Sequence, residues 1–204
     1  MDILGGMSSG GGESPYLKWK TGDMSFFNGE APIEFQYLQL DLATFLSGWG
    51  CYKQASGYDF VWDKQFGVAE SKPEDDYKRA FSAWVLPQGL SRPLLWQNMT
   101  FAETQAFNKI LGLFWNEKDK NGDLLPVVKF TGAKKLQVGL GQSSELSFEF
   151  AKFAPRSNEF AIPSWYYEDE SDNNFKSPND GLSDLVDKQI NDSNDLLTDE
   201  DIPF

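Results

Sequence analysis

The chain changes character at Glu168. All seven Trp and all seven Tyr of its 204 residues lie before that position. Twelve of the 31 acidic residues but only two of the 18 basic ones fall in residues 168–204, which puts −10 of the −13 net charge on the tail and leaves −3 on the 167 residues before it. A segment so charged and so poor in rings buries too little apolar surface to offset its chain entropy, so residues 168–204 are expected to stay disordered. Residues 1–15 (MDILGGMSSGGGESP) are Gly/Ser-rich and read as a flexible start. The fold must therefore form within residues 16–167, enough for one domain with a sizeable core.

Within that body the apolar pattern has mostly a period of two. Leu146, Phe148 and Phe150 alternate with Glu145, Ser147 and Glu149, as on a half-buried strand. Residues 33–40, 58–62, 80–86, 124–130 and 134–140 also read as strands. Thr131-Gly132-Ala133 separates the last two, and Gly139-Leu140-Gly141 makes the turn that follows. One helix is expected over about 100–116. Thr100 and Glu103 have capping-box spacing, and Phe107, Ile110, Leu111 and Phe114 repeat at helical intervals. Strands, a single helix, then hairpin-like strands predict a mainly β protein. The leading class is an OB-fold-like five-stranded barrel with one inserted helix.

Several chemistries are excluded or find no support. The chain has no His and one Cys, so it has no His-based triad, imidazole metal site, internal disulfide or cysteine cluster. Asp119-Lys120-Asn121-Gly122-Asp123 begins like a calcium loop, but Leu124 and Phe130 stand where such a loop needs Gly and Glu. Glycine patterns for nucleotide phosphates are missing, and the acidic runs at 74–76 and 168–170 lack an apolar setting that would raise a carboxyl pKa. No enzyme, cofactor or metal site is expected. With no apolar run of about 18 residues and no signal-like start, the expected location is cytoplasmic, off any membrane.

Rings interleaved with cations are the remaining chemistry. Lys18-Trp19-Lys20 alternates cation, ring, cation, and Trp49, Tyr52 and Lys53 lie in a glycine-flanked stretch. Lys129, Lys134, Lys135, Lys152 and Arg156 gather five cations against Glu145 and Glu149 in residues 127–156. Aromatic faces stack single-stranded bases at about 1–3 kcal/mol each while cations follow the phosphates, so these eleven residues are the candidate DNA contacts. Two other readings of the chain stay open. One is an adaptor that occupies replication factors through its terminus; the other is a β-barrel receptor whose rings line a small-ligand pocket.

The chain ends Asp199-Glu200-Asp201-Ile202-Pro203-Phe204. Two apolar anchors flank a stiff proline, and the preceding acids and terminal carboxylate suit a partner pocket with a basic rim. This end resembles the C-terminal tip of bacterial single-stranded DNA-binding proteins. A body of about 165 residues followed by an acidic tail looks more like the replication-associated single-stranded DNA-binding proteins of tailed phages. The resemblance implies an OB-fold and sequence-independent binding of single strands in DNA replication, recombination and repair, in the host cytoplasm. It also implies that residues 199–204 recruit host or phage replication and repair proteins. When DNA is absent, the tail is expected to occupy the basic cleft as an internal polyanion.

Overall fold

The structure is a computed structural model and describes residues 15–164 except 56 and 140, together with Tyr166. The expected flexible start up to residue 14, the acidic tail and the terminal tip lie outside the described residues.

The described chain is mainly β with one α-helix. It forms β1 (Tyr16–Lys20), β2 (Ser25–Asn28), β3 (Ala31–Ile33), β4 (Tyr37–Leu40), β5 (Leu46–Lys53), β6 (Gly57–Trp62), β7 (Lys78–Pro87), β8 (Leu94–Asn98), α1 (Phe101–Phe114), β9 (Leu125–Val138) and β10 (Gly141–Ala154). All ten strands join one curled, half-barrel sheet in the order β10-β9-β4-β7-β8-β1-β2-β3, with β5 and β6 branching from β7. Ten strands stand where five were expected. The residues 33–40 run splits at 34–36 into β3 and β4, while β2 and β8 are too short and β5 too glycine-interrupted to show a period of two. Strand β1 does alternate, with buried Leu17 and Trp19 between more exposed neighbours, but over five residues only. Conversely, the runs expected at 124–130 and 134–140 meet in one strand, Leu125–Val138, rather than two. Thr131-Gly132-Ala133 is a bulge: Phe130 faces Phe148 and Gly132 faces Ser147, so the extra residue is absorbed within the ladder.

The branch comes from a three-residue 3-10 turn, Leu42–Thr44, between β4 and β5. Both strands pair with the same side of β7, β4 along Val85 to Pro87 and β5 along Lys78 to Ser82. At the turn, the Asp41 N–H donates to the Trp84 carbonyl (3.0 Å), and the Trp84 N–H donates to the Thr44 hydroxyl (3.0 Å). The break therefore leaves both backbone groups of Trp84 satisfied, as buried polar groups must be. Beyond it the sheet divides, with β9 and β10 on the β4 arm and β6 on the β5 arm.

The main core lies on one side of β7, under α1. Phe107 stacks on Phe81 (4.3 Å between centroids, 12°) and meets Trp96 edge-on, while Trp19, Phe26, Phe130 and Phe148 continue the cluster toward β9 and β10. Glu103 ties α1 to this sheet. Its carboxylate accepts from the Trp19 N–H (3.2 Å), the Trp96 indole (3.1 Å), the Asn98 amide (2.5 Å) and the Thr100 hydroxyl (2.9 Å). The capping-box pair is present, but Glu103 turns into the core instead of back to the Thr100 N–H, which donates to the Asn98 side chain. Burial pushes the Glu103 carboxyl up to about 6, against the pull of these donors.

A smaller cluster covers the opposite side of β7. There Phe160 packs with Trp84, Leu86, Leu95 and Leu125, and Tyr166 meets Trp84 edge-on at 5.4 Å. Among the described residues, no helix is long and apolar enough to cross a membrane.

Candidate nucleic-acid interface

Strand alternation sorts the sequence-expected residues onto two faces. The register across β6, β5, β7, β8 and β1 puts Tyr58, Phe60, Trp62, Tyr52, Lys78, Ala80, Ser82, Gln97, Tyr16, Lys18 and Lys20 on the outer face, away from α1. The described residues of these five strands place no acidic side chain on that face. Asp59 of β6 and Asp63, the residue after it, point to the other side.

The outer face carries a row of four rings. Phe60 and Trp62 lie nearly parallel (4°) with centroids 5.2 Å apart, and Tyr58 continues the stack at 6.1 Å and 13°. Tyr52 closes the row edge-on to Tyr58 at 5.2 Å. Glycines make this possible. Gly50 faces Phe60 and Gly48 faces Trp62, and a β-carbon on Gly50 would come within 2.7 Å of the Phe60 ring. The rings thus rest against backbone, and the tyrosines stay open to solvent: Tyr52 is 60% and Tyr58 63% exposed.

Below the row, on the α1 side, polar side chains lock the segment between β6 and β7. Asp63, buried, receives two bonds from Arg79 (3.2 and 2.7 Å), one from the Ser47 hydroxyl (2.6 Å) and one from the Glu70 N–H (3.0 Å). Lys53 and the Tyr77 hydroxyl both donate to Asp59, at 2.8 and 2.6 Å. The Lys53 hydrogen bond holds the Asp59 carboxyl below its usual range, and Asp59 in turn pushes the Tyr77 hydroxyl up to about 12. Segment 64–77, with Glu70, Glu74, Asp75 and Asp76, is anchored through Trp49, Asp63 and Asp59 on this side.

The structure separates the sequence-expected contacts. Lys18, Lys20 and Tyr52 share the outer face. Lys20 lies 3.9 Å from the centroid of Phe27 and 3.6 Å from Glu30 of the β2–β3 turn. Trp19 points the other way and is 8% exposed, edge-on to Phe26 and Phe130, so its ring has no open face for a base. Trp49 also lies on the inner side, where its indole donates to the Glu70 carbonyl (2.8 Å) under the Arg79 guanidinium. Lys53 belongs to the Asp59 pair.

The remaining cations occupy the other arm. Lys129 stands opposite Glu149 and Tyr37, Lys134 opposite Glu145, Lys135 opposite Ser144 and Lys152 opposite Val127. Glu145 is itself bound by Lys109 of α1 (2.7 Å), whose hydrogen bond lowers its pKa. Arg156 is held by the buried Asp41 carboxylate at 2.5 Å and donates to the Phe160 carbonyl.

Tyr58, Phe60, Trp62 and Lys78 are absent from the sequence-expected set. The signal of the three rings was an alternation in residues 58–62, readable as a platform only once Gly48-x-Gly50 is known to lie opposite. The tip residues Asp199, Glu200, Asp201, Ile202, Pro203 and Phe204 lie outside the described residues. No family model, curated protein or solved structure matches the chain.

Proposed function

We propose that this chain binds single-stranded DNA with little regard to sequence and serves DNA replication, recombination and repair as a non-enzymatic phage protein in the host cytoplasm. One observation carries the reading: Tyr52, Tyr58, Phe60 and Trp62 form a row on a sheet face where β6, β5, β7, β8 and β1 carry Lys78, Lys18 and Lys20 and no acid. Every base has a π-face, so a row of rings holds single strands of any sequence, and cations alongside follow the phosphates.

The strand order supports an OB-like barrel as part of the same proposal. With β4 and β5 taken as one bent strand, β4/β5, β7 and β8 run in succession, α1 follows, and β9 and β10 complete a set of five. OB domains use their second and third strands and the loops after the first and fourth to bind oligonucleotides. Here those places are β7, β8, the β6 branch with its rings, and the β9–β10 turn near Lys134 and Lys135. The other strands, β1, β2 and β3, widen the face.

The acidic tail would have the two roles its composition suggests. Its tip recruits replication and repair proteins, and its charge competes for the cationic face when DNA is absent. Tyr166 against Trp84 brings the chain to the outer side of β7 just before the tail begins.

Titration with oligo-dT of increasing length, read by Trp fluorescence and anisotropy, tests the proposal. Quenching of the indoles and affinity that rises with length are expected. Binding independent of length, or none, overturns it and favours the adaptor or the small-ligand receptor.

A further inference from the structure

Among the described residues the sheet has three ends, and two are protected against pairing with another chain. β3 has three residues, one of them Pro32, which offers no N–H. β10 is interrupted by two register shifts and carries Glu145, Glu149 and Lys152. The third end, β6, has neither, and its one charge, Asp59, is already taken up by Lys53 and Tyr77. Its six residues, Gly-Tyr-Asp-Phe-Val-Trp, pair only with β5 among the described strands, without proline or a bulge. Tyr58 at 63% and Val61 at 41% leave large apolar surface exposed along it. Natural sheets seldom leave such an edge open.

We propose that a second copy of this chain covers it, β6 pairing antiparallel with β6 about a two-fold axis through Phe60. The sequence complements itself in that register. Phe60 meets Phe60, Tyr58 meets Trp62 and Asp59 meets Val61, so rings face rings and no like charges stand opposite each other. A register two residues away, centred on Tyr58, removes the Tyr58–Trp62 pair and sets Asp59 against Gly57. A register one residue away, centred on Asp59, puts two carboxylates face to face. Of these registers, the first alone sets all three β6 rings, Tyr58, Phe60 and Trp62, opposite rings of the other copy. The contact is isologous and closed, so it stops at a dimer. It requires no nucleic acid.

Sedimentation equilibrium of the full chain over a wide concentration range is the test, with a particle of twice the 23.0 kDa mass as the expected result. Val61→Glu sets a carboxylate against Asp59 of the other copy at two symmetric places and should yield a folded monomer by circular dichroism. Val61→Thr keeps the β-branched shape without charge and should remain dimeric. A wild-type monomer at all concentrations overturns the proposal, leaving residues 1–14 or a strand of another protein to cover the edge. A Val61→Glu dimer overturns it as well, by placing the contact elsewhere. Amide exchange over Gly57–Trp62 in the wild-type chain needs no variant. Protection there must grow with protein concentration, and exchange that is concentration-independent overturns the contact even if Val61→Glu fails to fold.

Discussion

The indole of Trp62 rests against Gly48, and a β-carbon added to that glycine would stand 2.8 Å from the ring and 2.4 Å from the Val61 carbonyl oxygen. The ring row therefore depends on two residues that have no side chain. Gly48→Ala must push the β5 and β6 backbones apart and is expected to cost about 1–3 kcal/mol, as overpacking does. Gly50→Ala meets mainly the Phe60 ring and should disturb the platform more than the fold. Urea melts and oligo-dT affinities of the two variants separate these effects.

Open and enclosed rings should respond in opposite ways to removal. Tyr58→Ala or Tyr52→Ala strips an exposed ring, so stability should stay within about 0.5 kcal/mol. Single-strand affinity should fall by about 1–3 kcal/mol for each stacking ring removed. Trp19→Ala empties part of the core and should destabilise by about 3–5 kcal/mol. Thermal melts beside fluorescence titrations decide the matter, and a Tyr58→Ala protein with unchanged affinity would place the DNA elsewhere.

Cations divide in the same manner. Lys78→Ala and Lys18→Ala should lower affinity and reduce the slope of log affinity against log salt by about 0.7 for each phosphate left without its cation, with the melt unchanged. Arg156→Ala strands the buried Asp41 carboxylate and should cost about 1–3 kcal/mol of stability. Salt titrations and melts of the three variants give the comparison.

Glu103 should leave a mark on the pH dependence of stability. Its folded pKa of about 6 lies above the ordinary 4.5, so its stabilisation is complete below pH 4.5 and is lost as pH rises through 6. Between pH 7 and pH 4.5 the wild-type chain should gain about 2 kcal/mol that Glu103→Gln does not gain. Unfolding free energies of both proteins at the two pH values measure this difference.

Deleting residues 168–204 removes ten net negative charges. Single-strand affinity should rise, most clearly at low salt, where screening is weakest. Equal or weaker binding by the shortened chain would end the idea of the tail as a competitor.

What could be read in advance followed the range of the interactions involved. Phe107, Ile110 and Phe114 announced α1 because helical spacing is local, and Leu146, Phe148 and Phe150 announced β10 for the same reason. The body-wide balance of a nearly neutral core and an acidic end was also legible. Facing, by contrast, depends on partners far along the chain. Trp19 and Lys18 are neighbours in sequence, yet alternation sends the ring to the core and the cation to solvent. Trp49 and Tyr52 part in the same way. Arg156 looked like a free cation until Asp41, 115 residues earlier, came within 2.5 Å. In the sequence Gly48 and Gly50 only flank Trp49, and their purpose emerges only with Phe60 and Trp62 laid across them.

The three residues Leu42–Thr44 have a mechanical consequence. Since β4 and β5 grip the same side of β7 above and below that turn, it acts as the pivot of a pair of calipers. One jaw is the ring-bearing hairpin, and the other is the long β9–β10 ribbon with Lys134 and Lys135. Trp84 and Arg156 clamp the pivot through Asp41 and Thr44. The gap between the jaws is thus set far from either tip. Lengthening that turn by one residue would shift one arm against the other while leaving the strand pairing within each arm unchanged.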